Sequence, residues 1–241
     1  MRIAVVSDIH ANLHALEAVL AEIDREGGVD ELWCLGDVVG YGPRPNECCD
    51  LVRERATLSL CGNHDLAVLG ALDVGEFTGD AAAAANWTSS VLGEEQRAWL
   101  AALEPFGRRE GAQLFHASAR DPVWEYVLTE EAAFASLQAT EEPLVLVGHS
   151  HVALSIGWDE RLLEGGLAPV GTVVERSGRR WLLNPGSVGQ PRDGDPRAAW
   201  LLIGDERAEF RRTPYEIERT QAEIREAGLP SGLAGRLSVG I

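Results

Sequence analysis

Lysine is absent from the 241-residue chain, so that all 21 of its basic residues are arginine. That excludes Schiff-base catalysis and the phosphate-binding lysine of a Walker-type loop. Cysteine is scarce: Cys34, Cys48, Cys49 and Cys61 include no C-x-x-C pair and lie in or beside stretches that read as regular structure. Reduced core thiols are therefore expected, not disulfides or a zinc ribbon. No apolar run approaches a membrane span, and "MRIAVVSD" enters a short strand with neither a long apolar segment nor a small-residue cleavage site, which makes a cytoplasmic setting the expectation. Positive charge is also in deficit. Against 38 acidic residues the formal charge is −17, which repels polyanions unless bound metal or clustered arginine reverses it locally, so nucleic acid is a disfavoured partner.

What is present is a chain of 45% hydrophobic content, enough to bury a core as one domain over residues 1–241, without linker or repeat. Ile3 to Val6 reads as a strand, and Asn12 can cap a helix whose apolar face is Leu13, Leu16, Val19, Leu20 and Ile23, ended by Gly27 and Gly28. Leu32 to Leu35 is a second strand, residues near 45–54 a helix, Thr57 to Leu60 a third strand, and "GNHD" opens another helix. This βαβαβ order predicts a parallel sheet. A helical segment follows at about 80–103, and strands are expected at Leu114 to His116, Leu144 to Val147 and near 153–157, 170–175, 180–183, 199–203 and 207–211, with a second sheet as their natural arrangement. A C-terminal helix and tail occupy about 214–241.

Only six histidines occur, and five lie at strand ends. Asp8 and His10 follow the first strand, Asp37 the second, Asn63, His64 and Asp65 the third, His116 the run "QLF", and His149 and His151 the run "LVLVG". The C-terminal edge of a parallel sheet is where ligands bind. Helix capping accounts for Asp8, Asp37 and Asn63 taken singly, but not for the imidazoles beside them. If the chain stays extended through His151, that residue and His149 share a face with Cα atoms roughly 6.6 Å apart. The seven groups Asp8, His10, Asp37, Asn63, His116, His149 and His151 are too many for one transition-metal site and suit two ions sharing Asp37, roughly 3.5–4 Å apart and bridged by a hydroxide placed for in-line attack. His14, one turn into the first helix, is expected to be solvated. Tyr41 and Trp124 are candidates for lining a pocket and stacking on a base, as well as for core packing.

The ordered set "SDIH", "GDVVG", "GNHD", "FHAS" and "GHSH" resembles the calcineurin-like metallophosphoesterase superfamily, in its small bacterial phosphodiesterase-like branch, and "NPGSVGQPRDGDPRA" resembles the element after the last histidines. The resemblance covers residues 3 to about 203. It implies an α/β four-layer αββα sandwich of two mixed sheets, a first ion held by Asp8, His10, Asp37 and His151, and a second by Asp37, Asn63, His116 and His149. It further implies that His64 acts on the leaving oxygen while Asp65 holds its ring. Manganese is the expected metal in vitro, with iron, zinc, cobalt or nickel also suited to imidazole and carboxylate. The expected activity is hydrolysis of a phosphodiester or related small phosphate ester or nucleotide. The alternatives are a phosphomonoesterase, including the Ser/Thr protein phosphatases, a dinucleoside-polyphosphate hydrolase, or a metal-binding scaffold without catalysis. The chain departs from the protein phosphatases in lacking their arginine after the second motif, which disfavours a monoester dianion; Arg192 and Arg44 are candidate replacements, with a surface salt bridge the competing use.

Overall fold

The computed structural model describes residues 1–109 and 111–241. Its strands and helices alternate through β1 (Ile3–Val6), α1 (Leu13–Arg25), β2 (Glu31–Cys34), α2 (Pro45–Arg55), β3 (Leu58–Ser59) and α3 (Asn63–Val68). A helical stretch α4 (Gly79–Val91) and α5 (Glu94–Leu100) follows, then β4 (Phe106–Arg109), β5 (Ala112–Phe115), α6 (Glu130–Gln138), β6 (Leu144–Leu146), β7 (Leu154–Trp158) and β8 (Leu163–Leu167). The chain continues through β9 (Val173–Glu175), β10 (Arg180–Asn184), β11 (Ala198–Ile203), β12 (Arg207–Thr213), α7 (Ile217–Glu226) and α8 (Ser231–Leu237).

Two six-stranded mixed sheets result, in the orders β3-β2-β1-β11-β12-β9 and β4-β5-β6-β10-β7-β8. The βαβαβ unit pairs in parallel as expected, and β5, β6 and β10 form a second parallel run. Strand alternation sets the layers. Ile3 and Val5 face Leu114, Leu146, Leu183 and Phe210 between the sheets, whereas Ala4 and Val6 turn outward to Leu16, Val19 and Cys48 of α1 and α2. On the other outer face Val145 and Leu182 meet Ala133 and Leu137 of α6. The four-layer αββα sandwich is therefore present, each fully buried leucine adding roughly 1.5–3 kcal/mol.

Several expectations are corrected. Three strands assigned to a second sheet, β9, β11 and β12, join the first, because β11 pairs antiparallel with the open edge of β1. The segment 80–103 is two helices broken at Leu92 and Gly93, and the C-terminal part is the helix pair α7 and α8, the latter anchored by buried Leu233 and Leu237. β4, β8 and α6 were not expected; β4 and β8 are edge strands whose outward positions carry no apolar alternation. His14 is not solvated: its side chain is 9% exposed, its Nδ1 lies 3.0 Å from Thr220 Oγ1 and its Nε2 3.6 Å from Glu223, both on α7. Among the described residues no helix is long and apolar enough to cross a membrane, and all four cysteines are free and buried.

Candidate metal centre

All seven predicted donors converge at one rim of the sandwich, where β1, β2, β3, β5 and β6 end, and all are buried. Asp8, His10, Asp37 and His151 form one group that could hold a metal ion; Asp37, His116 and His149 form another. Asn63 Oδ1 lies 3.2 Å from His116 Nε2, beside the second group.

The local chain conformation is unusual. Asp8, His10, Asp37, His149 and His151 all have φ between +50° and +62°, a left-handed region that costs a non-glycine residue about 1 kcal/mol or more. The extended geometry expected for "GHSH" is thus wrong, since β6 stops at Leu146 and both histidines sit in a tight turn. Their predicted division between two groups nevertheless coincides with the one the donor atoms form.

Loops hold one another in these strained conformations. His10 N–H donates to Asp37 O at 2.9 Å, Asp8 N–H to Gly36 O at 3.0 Å, and Gly148 N–H to His116 O at 2.8 Å. Each aspartate commits one oxygen to this scaffold: Asp8 Oδ2 accepts from His149 N–H at 3.1 Å and Asp37 Oδ1 from His64 N–H at 2.9 Å. The other oxygens, Asp8 Oδ1 and Asp37 Oδ2, are buried with no hydrogen-bond partner among the described residues, as is His149 Nε2. Leaving such acceptors unpaired costs roughly 1–3 kcal/mol each.

The histidine rings supply the sharpest test of metal fit. His10 Nδ1 faces Val39 O at 3.1 Å, and His151 Nδ1 faces Gln190 O at 2.6 Å. A carbonyl only accepts, so each Nδ1 carries the proton. Burial keeps both rings neutral by lowering their pKa well below the ordinary imidazole value. Their Nε2 atoms, 3.0 Å apart, therefore meet lone pair to lone pair, with Asp8 Oδ1 3.4 Å from His151 Nε2 and Asp37 Oδ2 3.6 Å from His10 Nε2. His116 repeats the pattern, with Nδ1 on Leu35 O at 2.9 Å and Nε2 3.5 Å from Asp37 Oδ2. Acceptors facing acceptors in a buried cluster are what a divalent cation satisfies. Burial, with the nearby Asp37 carboxylate adding to it, raises Asp8 to about 7, and burial followed by Asp65 holds Asp37 well above the carboxylate range. Burial lowers His149 to about 2.

His64 is in the centre and outside both donor groups, but its expected partnership with Asp65 is not formed. Asp65, third residue of α3, accepts from Gly62 N–H at 2.9 Å, Val39 N–H at 3.0 Å and Val38 N–H at 3.2 Å, so its oxygens fasten the loop after β2 to its own helix. The His64 ring is held by packing instead, with Tyr41 at 4.4 Å, His10 at 4.8 Å and Phe77 at 5.0 Å between centroids, and its Nδ1 has no partner among the described residues. Burial, then Arg192, lower its pKa to about 3.

Arg192 and Arg44 part company. Arg44 is paired with Glu223 at 2.8 and 3.0 Å and with Glu47 at 3.1 Å, the salt-bridge use that competes with a phosphate role. Arg192 makes no surface salt bridge among the described residues. Its guanidinium lies over the Tyr41 ring at 5.9 Å and hydrogen-bonds Tyr41 Oη at 3.3 Å and Gln190 Oε1 at 3.1 Å, near enough to bias Asp8, His10 and His64. Tyr41 is itself 8% exposed and so supports Arg192 and His64 with no face free for a base. The end of β10 and the segment after it also contribute residues that sequence reasoning passed over. Asn184 Nδ2 donates to Gly148 O at 2.7 Å and to Ser150 Oγ at 3.0 Å, and Ser187 Oγ to Asp8 O at 2.7 Å. The signal for them was the resemblance of "NPGSVGQPRDGDPRA" to the element after the last histidines, which singles out no residue within it.

A mixed two-sheet sandwich carrying buried aspartate and histidine donor groups at its strand ends defines a metallophosphoesterase. Residues 1–206 match the calcineurin-like phosphoesterase superfamily domain, and the chain belongs to that superfamily; it is a metal-dependent hydrolase of phosphate esters. The crystal structure of a metallophosphoesterase from Sphaerobacter thermophilus is similar at 44% identity and TM-score 0.91, covering 100% of this chain and 99% of that one. An uncharacterised protein of Methanocaldococcus jannaschii is 36% identical over 245 residues, 99% of this chain and 98% of its own. A symmetrical bis(5'-nucleosyl)-tetraphosphatase of Actinobacillus pleuropneumoniae is 34% identical over 70 residues, 28% of this chain and 26% of that one.

Proposed function

We propose that the chain binds two divalent ions, one at Asp8, His10, Asp37 and His151 and one at Asp37, Asn63, His116 and His149, and hydrolyses phosphodiester or phosphoanhydride bonds in small molecules such as nucleotides. The observation that carries this reading is the set of acceptors without partners among the described residues, Asp8 Oδ1, Asp37 Oδ2 and His149 Nε2, turned into one buried centre beside His64, a histidine outside both donor groups. When bound, the ions would activate water and neutralise charge on the phosphoryl oxygens. The protein's own groups do the rest. Asp37 is common to both donor groups and fixes their relative position. His64, neutral and held between aromatic rings, would offer a ring N–H to the leaving oxygen. Arg192, carried on Tyr41, would be the cation that meets a phosphoryl oxygen. The local likeness to a bis(5'-nucleosyl)-tetraphosphatase supports a nucleotide substrate. The negative total charge supports small substrates over nucleic acid, and four reduced thiols suit a cytoplasmic setting.

A second reading, phosphomonoester hydrolysis, has Arg192 in its favour, because a guanidinium grips a dianion better than a monoanion. The discriminating experiment is kcat/KM over cyclic nucleotides, aryl phosphodiesters, dinucleoside polyphosphates and phosphoserine peptides after reconstitution with manganese, iron, cobalt, nickel or zinc, since that ratio reports differential transition-state binding. The proposal predicts diesters or anhydrides ahead, with Arg192→Ala lowering every rate. Efficient phosphopeptide turnover with inert diesters would reverse it.

A further inference from the structure

Two aromatic arms reach the centre from outside. The loop after β5 leaves His116 and returns Trp124 and Tyr126 to the rim. Tyr126 stacks on His149 with centroids 4.1 Å apart and planes 19° from parallel, yet it remains 48% exposed. Trp124 lies 5.3 Å from Phe77, which in turn meets His64 edge-on at 5.0 Å. The arms therefore touch the two centre histidines whose ring nitrogens lack partners, His149 and His64.

The loop is built to hold these rings in place. Asp121 Oδ1 accepts from Val123 N–H and Trp124 N–H, both at 3.1 Å, and Ala117 N–H donates to Pro122 O at 3.0 Å. Glu125, between the two aromatics, is occupied by Ser118 and Arg120, so no free carboxylate is left at that position to repel a phosphate. A half-exposed tyrosine on a pre-ordered loop pays little further entropy when a planar group covers it.

We propose that Tyr126, Trp124 and Phe77 form a stacking wall for a planar aromatic group attached to the phosphate, either a nucleobase or an aryl ring, and so set specificity at the centre. This rests on the phosphate-hydrolysing reading above and names the substrate class within it. Aromatic faces accept any flat ring without a hydrogen-bond code, which predicts tolerance among bases and discrimination against substrates that have no ring.

Binding to the metal-loaded full chain separates the possibilities, with adenosine 5'-monophosphate compared with ribose 5-phosphate, and phenyl phosphate with methyl phosphate, by calorimetry. The ringed member of at least one pair should bind roughly 5- to 100-fold tighter, the range of a single stacking contact. An advantage in both pairs assigns the wall to any planar ring; an advantage for the nucleotide alone assigns it to a nucleobase. Tyr126→Ala and Trp124→Leu should erase most of that advantage while leaving ribose 5-phosphate affinity and metal content unchanged, and Tyr126→Phe should keep it. Equal affinities within both wild-type pairs, or variants that weaken all four ligands alike, would overturn the wall while leaving the phosphate centre standing. Binding of none of the four would overturn the wall, while metal stoichiometry on the same preparation shows separately whether the phosphate centre stands.

Discussion

His64 differs from every other histidine of the centre in lacking both a carboxylate on its ring and a place in either donor group. Its role should therefore separate cleanly from metal binding. His64→Ala is predicted to keep the wild-type metal content while losing roughly two to four decades of turnover, the usual worth of a positioned proton or hydrogen-bond donor. The loss should be greater for a nucleotide ester, whose alkoxide leaves poorly, than for a nitrophenyl ester. Rates and metal analysis on one preparation decide it, and a variant that sheds its ions would make His64 a ligand. At this scale the sequence was legible in which side chains would converge and opaque in their hydrogen-bond partners. The spacing of Asp8, His10, Asp37, His149 and His151 past strand ends located the centre. Nothing in "NHD" showed that Asp65 turns to three backbone N–H groups, because that depends on the loop after β2 folding over α3.

Elements bring these residues together by unusually close approach. A Cβ on Gly62 would lie 2.1 Å from Asp37 Oδ1 and 2.6 Å from His116 Cε1, and one on Gly148 would lie 2.1 Å from Ser7 Oγ. Glycine opens "GNHD" and "GHSH" because the loops bearing the donors pack backbone against side chain there. Gly62→Ala should push Asp37 and His116 apart and leave the chain folded but deficient in metal, chiefly at the second group; a variant retaining both ions at wild-type affinity would contradict this packing account. The C-terminal helices support the centre through Tyr41. Leu233 of α8 is fully buried with Leu237, Ile224 and Tyr41, the ring that carries Arg192. Leu233→Ala is predicted to cost about 2–5 kcal/mol of unfolding free energy, measured by urea denaturation; a loss below about 1 kcal/mol would mean the helix pair is only loosely docked. The N-terminal βαβαβ unit was readable because apolar periodicity and glycine stops fix it locally. The return of β9, β11 and β12 to the first sheet was not, since alternation names a strand's buried face but not its neighbour.

Across the whole molecule, an acidic protein concentrates its site in a cluster that burial has driven toward neutrality. Asp8 is raised to about 7, so it carries its proton below that pH in the metal-free protein and must lose it when a cation arrives. Metal affinity should therefore rise as pH increases through about 7, the value at which Asp8 ionises. Titration with manganese at pH 6 and at about pH 8.5, one to two pH units above the Asp8 transition, in buffers of different ionisation enthalpy should show less proton release at the higher pH by the Asp8 contribution, with Asp37 as a second source. Release that does not change over this range would place the titrating group elsewhere. The central claim, that one shared carboxylate organises two ions for phosphate hydrolysis, is tested most directly by measuring metal stoichiometry and diester turnover together in the wild type and in Asp37→Asn. The account predicts about two equivalents per chain and turnover in the wild type, with both lost or severely weakened in the variant. A wild type that saturates at one equivalent, or an Asp37→Asn protein that keeps two ions and its activity, would contradict it.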